Sequence, residues 1–212
     1  MKTLSFSHIK FADLQKVVNI RQITNDALFA EWFAYNYAFS PEEMRLIETL
    51  VAEHRTLISS YSEDELKMTF LAPLLNAVKF RTDTLRDWYQ RTLKATINRV
   101  TLSGYTDFMV ARGVKEPEKP YFFIQEFKRA KPEVDPEDQL LAEMLVALTL
   151  NAANIMRGAF IIGQHWHFVI LTKNANDVYE YVVSKTFDSV WLDDLKRIYA
   201  NLQAVKALFC HD

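Results

Sequence analysis

The sequence predicts an α/β fold, a mixed sheet flanked by helices, and three observations carry that reading. Two capped helix starts, at Ser40 and Ser62, precede a long stretch rich in strand-forming residues. A strongly apolar helical pattern over 137–151 then interrupts the strands. Short apolar strands resume after it, so helices and strands alternate as they do in layered α/β domains.

Each element has its own signal. Residues 25–39 carry Leu28, Phe29, Trp32, Phe33 and Phe39 at helical spacing. Ser40-Pro41-Glu42-Glu43 combines a capping serine, a proline in the first turn and a glutamate three residues after the cap, and launches a helix to about residue 58. Ser62-Glu63-Asp64-Glu65 repeats the signal, with Leu66, Phe70, Leu74 and Val78 in one i+4 row. Pro73 is expected to bend or shorten that helix. Strands follow over 88–100, 105–111 and 121–128, the last two joined by a polar, turn-rich connection. The 137–151 helix has Leu141, Met144, Leu145 and Leu148 as its buried stripe. Strands at 158–162, 167–171 and 178–183 come next, then a helix over 188–209 packing through Trp191, Leu195, Ile198, Leu202, Val205 and Phe209. Residues 1–60 read as a helical N-terminal extension and 61–212 as the core with its C-terminal helix, together one compact domain.

Composition removes several classes of protein. A chain of 212 residues, half of them hydrophobic, buries a core without staples. Four glycines and six prolines exclude collagen-like and low-complexity readings. Cys210 is the single cysteine, so neither a disulfide framework nor a cysteine-based zinc site is available. The start lacks the apolar run of a signal peptide, and no stretch reaches the length of a membrane span. The expected location is the cytoplasm, with no membrane partner.

The net charge of −2 gives no global sign of nucleic-acid binding. Locally, residues 79–99 hold six basic side chains against two acidic ones. Arg86, Arg91 and Lys94 are the candidates there for a phosphate-binding face, against the alternative of a solvated strand pair. Trp88 and Tyr89 beside them either stack on bases or pack in the core. Arg129 and Lys131 either grip phosphate or solvate a loop.

The chemistry concentrates in Tyr121-Phe122-Phe123-Ile124-Gln125-Glu126-Phe127-Lys128. Alternation along a strand puts Phe122, Ile124, Glu126 and Lys128 on one face, with the two charged groups at its end. The preceding strand offers Asp107 in an apolar setting, and neighbouring strands bring it beside Glu126. Two carboxylates held together favour a cation between them, and all-oxygen ligation suits Mg²⁺ or Mn²⁺. Lys128 beside such an ion orients or deprotonates a water and balances charge on a phosphate.

Ser103-Gly104-Tyr105-Thr106-Asp107-Phe108, followed by Pro120 to Arg129 with its Glu126-Phe127-Lys128, resembles the PD-(D/E)XK nuclease superfamily, in particular the nuclease domain of type I restriction enzyme motor subunits. The resemblance spans about residues 62–172. It implies a restriction-endonuclease-like sheet and a metal-dependent nuclease cutting DNA, internally or from an end, in restriction, defence or repair. Mg²⁺ or Mn²⁺ is the implied cofactor, held by Asp107, Glu126, the Phe127 carbonyl and Glu65 of the first core helix. Gln139 is implied to position substrate or Lys128. Position 143 is Glu where that family often has Tyr. DNA is the implied partner, with RNA, a homodimer and a larger assembly left open. The competing reading is a non-catalytic nucleic-acid- or protein-binding module, or a subunit of a larger defence complex. His165 and His167 lack a third ligand at metal spacing and read as strand-edge histidines.

Overall fold

The computed structural model describes residues 2–130 and 135–210. Its elements in chain order are β1 (Lys2–Ser5), α1 (Phe11–Val17), β2 (Asn19–Gln22), α2 (Ala30–Phe33), α3 (Pro41–His54), α4 (Glu63–Glu65) and α5 (Ala72–Val78). There follow β3 (Leu85–Ile97), β4 (Val100–Arg112), β5 (Glu118–Lys128), α6 (Pro136–Asn151), β6 (Ile155–Ile162), β7 (His165–Lys173), β8 (Val178–Val183), β9 (Phe187–Asp188) and α7 (Leu192–Ala204).

The strands form one mixed, curled sheet in the order β1-β4-β5-β6-β7-β8-β2, with β3 on β4 and β9 on β7. β5 and β6 run parallel with α6 as their crossover, whereas β3, β4 and β5 pair antiparallel. Helices cover both faces. Trp32, Ile47, Leu74 and Leu202 join one core; Leu14, Leu140 and Leu145 join the other. No helix among the described residues is long and apolar enough to cross a membrane.

Both serine-led helix starts form complete capping boxes. Ser40 and Glu43 exchange hydrogen bonds of 2.8 and 3.2 Å, as do Ser62 and Glu65. Pro73 does not stop the helical run. A π-helical turn over Leu66–Leu71 precedes it, and the helix resumes with the proline in its first turn, where a missing N–H costs least.

Other expectations change. The 25–39 pattern yields a 3-10 turn and the short α2, because Trp32, Phe29 and Phe33 are gathered into an aromatic cluster instead of a helical stripe. The N-terminal part is helical only in places. β1 pairs in parallel with β4, and β2 with β8, so it supplies strands to the sheet. Trp191 is the N-cap residue of α7 and 53% exposed, with the Arg55 guanidinium 4.1 Å above its ring. It does not join the buried stripe that Leu195, Ile198 and Leu202 form.

Candidate active site

The site lies where β4 and β5 part. Their ladder runs through Met109–Ile124 and Phe108–Gln125 and stops, while β5 stays paired with β6 as far as Lys128. Asp107 and Glu126 face each other just past the last rung. There the Phe127 N–H donates to Asp107 Oδ2 at 2.9 Å, so a carboxylate occupies the place of a backbone carbonyl. A backbone donor buried without a partner is costly, and this bond fixes the Asp107 side chain.

The expected face of β5 is partly rearranged. Ile124, Glu126 and Lys128 point toward α6, but Phe122 packs into the opposite core together with Phe123. The register of β4 against β5 shifts between Val110 and Arg112, and that bulge reverses the alternation before Phe123. A second break lies in β3. Trp88 and Leu93 reach the same core although they stand five positions apart, an odd offset, and Gln90 between them has φ +50°. Its amide donates to Asp107 Oδ1 at 2.6 Å. An uncommon backbone conformation thus aims a side chain at the site.

Two ammonium groups meet the acids. Lys67 donates to Asp107 at 2.9 Å and to Glu63 at 2.7 Å, and Lys128 pairs with Glu126. Burial alone would lower both lysines, but Asp107 and Glu126 outweigh it and hold them above the ordinary lysine value. Glu126 is fully buried; burial first, and then the Asp107 charge, push its carboxyl up to about 8.

On the same face, α6 presents Gln139 and Glu143, both buried, with Gln139 donating to Glu143 Oε1 at 3.1 Å. Burial, followed by the Glu126 charge, raises the Glu143 carboxyl well above its usual range. The remaining oxygens, Glu126 Oε2 and Glu143 Oε2, are buried without hydrogen-bond partners. Gly158 permits this approach: a Cβ there would meet the Ile124 carbonyl at 2.9 Å and the Leu140 and Met144 side chains of α6 at 3.1 Å.

No protein-family model and no curated protein matches the chain. The site is therefore read from its own chemistry.

Asp107, Glu126, Lys128 and Gln139 come together as the sequence expects. Glu65 does not join them. Its carboxylate accepts from Ser62 in the α4 capping box, which holds its pKa low, and its side chain is exposed. Glu63, two residues earlier, is the helix acid that reaches the cluster through Lys67. Glu63, Lys67 and Gln90 are the site residues that sequence reasoning missed, and Glu143, noted there as a departure from the resemblance, was given no role. Glu143 had a signal: a glutamate inside a helix apolar on every side, four residues from Gln139.

The candidate phosphate contacts lie away from the acids or are locally engaged. Arg86 stacks 4.4 Å over Trp88 and donates to the Val114 carbonyl, and Arg91 lies 3.5 Å from Glu116. Lys94 is exposed on β3, and Arg129 is exposed just past β5. Trp88 is core, whereas Tyr89 is 40% exposed. Lys131 lies outside the described residues. His167 stacks on Phe160 at 4.6 Å, and burial lowers its pKa to about 4.

Among the described residues, no group of three or more His, Cys, Asp or Glu is gathered as a metal shell. A hard divalent ion needs less than that from the protein: one or two carboxylates suffice, with water and substrate phosphate completing its shell. Asp107, Glu126 with its unpartnered Oε2, and the Phe127 carbonyl fit that demand.

Proposed function

We propose that the protein is a divalent-cation-dependent nuclease that hydrolyses DNA phosphodiester bonds at the parting of β4 and β5. The observation that supports this most is Glu126: a fully buried carboxylate with one unpartnered oxygen, beside Asp107 and in contact with Lys128. Groups perturbed by burial and by each other, at a break in a sheet, are the usual setting of catalytic acids.

Asp107 and Glu126, with the Phe127 carbonyl, would hold Mg²⁺ or Mn²⁺, which when bound supplies charge neutralisation on the phosphate and a more acidic water. The chain's own groups do the rest. Asp107 is oriented by the Phe127 N–H and by Gln90. Lys128, whose pKa is held high by Glu126, stays an ammonium; it orients the attacking water and offsets charge developing on the phosphate, and is no base while Glu126 is ionised. Gln139 ties Glu143 in place behind Glu126. Lys67 neutralises Asp107 from the other side.

The same lysines favour a second reading. Both acids already carry ammonium partners, so the cluster is charge-compensated as it stands, which suits a binding module that keeps the fold without cutting. Incubation of DNA with the purified protein and Mn²⁺ or Mg²⁺ separates the two. Nicking or degradation that Asp107→Ala abolishes, with the fold intact by circular dichroism, is expected of the nuclease. Cleavage that survives Asp107→Ala or excess chelator contradicts it.

A further inference from the structure

A cavity of about 360 Å³ opens beside the acids, and Asp107 and Phe127 form part of its wall. Its sides are apolar: Leu71 and Leu75 from the helical run of α4 and α5, Met68 at its mouth, and the Tyr89 ring from β3. Met68 is 73% exposed and Tyr89 40%, so both apolar side chains are open to an incoming ligand beside the charged groups. Met68 sits on the π-helical turn, and Tyr89 immediately precedes the kinked Gln90. Irregular backbone on both sides therefore places them at the cavity.

We propose that this cavity seats one unpaired nucleobase of a single-stranded or frayed nucleic acid whose backbone passes Asp107. The inference rests on the nuclease reading for the identity of the neighbouring phosphate. Size, shape and lining support it. The volume lies at the small end of ligand pockets, which combine apolar walls with a few polar groups. Aromatic side chains are the usual platform for an unstacked base, and a thioether packs well against a ring. Asn76 supplies an amide that bonds to no other described group, and Gln90 uses its N–H on Asp107 while its carbonyl oxygen stays available, so a base edge finds both donors and acceptors. Lys67, on the same wall, is held by Asp107 and Glu63, so polar recognition of the occupant falls to the two amides. A base stacked and paired in a duplex cannot enter a concave pocket, so the occupant is unpaired. An apolar peptide side chain would fill the walls but gains nothing from the amides.

Binding in excess chelator tests this without cleavage. The probes are a short labelled single-stranded deoxyoligonucleotide, the same strand with abasic spacers in place of its bases, and the blunt duplex. The base-bearing strand is expected to bind at least about tenfold more tightly than the abasic strand and the duplex, the order of one base–aromatic stack. Tyr89→Ala removes most of that preference and Tyr89→Phe keeps it. Met68→Ser, at a position too exposed to endanger folding, reduces it. Equal affinity for abasic and base-bearing strands, or parental behaviour of both Tyr89→Ala and Met68→Ser, overturns the proposal. A protein that shows the base preference but never cuts keeps the pocket and loses the nuclease. One that cuts DNA without any base preference keeps the nuclease and loses the pocket.

Discussion

Two clusters of glutamates in this molecule have opposite chemistry. Glu43, at the start of α3, accepts hydrogen bonds from the Tyr37 hydroxyl at 2.6 Å, the Tyr199 hydroxyl at 2.7 Å and the Ser40 N–H at 2.8 Å. Burial pushes its carboxyl up, but these donors outweigh it and bring it to about 2. Glu126 and Glu143 have an acidic neighbour and too few donors, and each keeps an unpartnered oxygen. Glu43 ties α3 to α7 and is spent on structure. The other pair is held close to an acidic neighbour, and under the proposed function a cation would relieve that repulsion. Burial and donor count together separate the two: Glu43 is half-buried with three donors, whereas Glu126 and Glu143 are fully buried with fewer.

The largest expected consequence is in activity. Lys128→Ala is expected to lower cleavage by about 10²-fold or more, the cost of one preorganised charge at a reacting phosphate. Glu43→Ala, far from the chemistry, leaves cleavage per folded molecule unchanged. Equal losses in both variants, measured under single-turnover conditions, would dissolve the contrast.

In stability the order reverses. Glu43→Ala strands the Tyr37 hydroxyl, leaves Tyr199 with only the Ala77 carbonyl and Gln203, and opens a capping box; it is expected to cost about 1–3 kcal/mol in denaturant melts. Glu143→Gln, which replaces a buried acid with one unpartnered oxygen by a neutral amide, melts no lower than the parent. A Glu143→Gln protein several degrees less stable would mean that its carboxylate is well paired.

The two clusters also give opposite pH dependence without divalent ions. Glu43 has a depressed pKa, so its contribution is complete above the ordinary value of 4.5 and is lost as pH falls toward about 2. Glu126 has a raised pKa, so the folded state binds its proton more tightly than the unfolded one. Stability then falls as pH rises from 4.5 through about 8. Chemical denaturation across that range is expected to show the second slope in the parent and a weaker one in Glu126→Gln.

The smallest effect concerns the basic stretch. Lys94→Glu is expected to lower the log–log salt slope of duplex binding by about 0.9, one phosphate contact. Arg86→Glu removes a guanidinium stacked on Trp88 and shows mainly in stability, by about 0.5–1 kcal/mol. An unchanged slope in Lys94→Glu makes that strand an ordinary solvated surface.

Much of the fold was legible because its signals are local. Ser40 and Ser62 cap the helices that their spacing announces, and β8 has the bounds that its apolar run suggests. β1 and β2 were not legible: four residues carry too little periodicity, and their partners lie far along the chain. Asp107, Glu126 and Lys128 were legible because strand alternation and adjacency bring them together. Glu143 was given no role because Gln139 and Glu143, one turn apart on a helix face, read equally well as facing solvent. Lys67 and Gln90 depend on a π-helical turn and on a positive φ at a glutamine, neither of which residue type announces.

The central claim, that Asp107 and Glu126 form a divalent-cation site, is tested most directly by thermal melts of the parent and Glu126→Gln with and without Mn²⁺. An ion at roughly ten times its dissociation constant stabilises the folded state by about 1.4 kcal/mol, which raises the melting midpoint of a domain this size by about 3 to 6 °C. The parent is expected to show that rise. Glu126→Gln is expected to lose it while melting no lower than the metal-free parent. A parent indifferent to Mn²⁺, or a Glu126→Gln protein that responds in full, would contradict the claim.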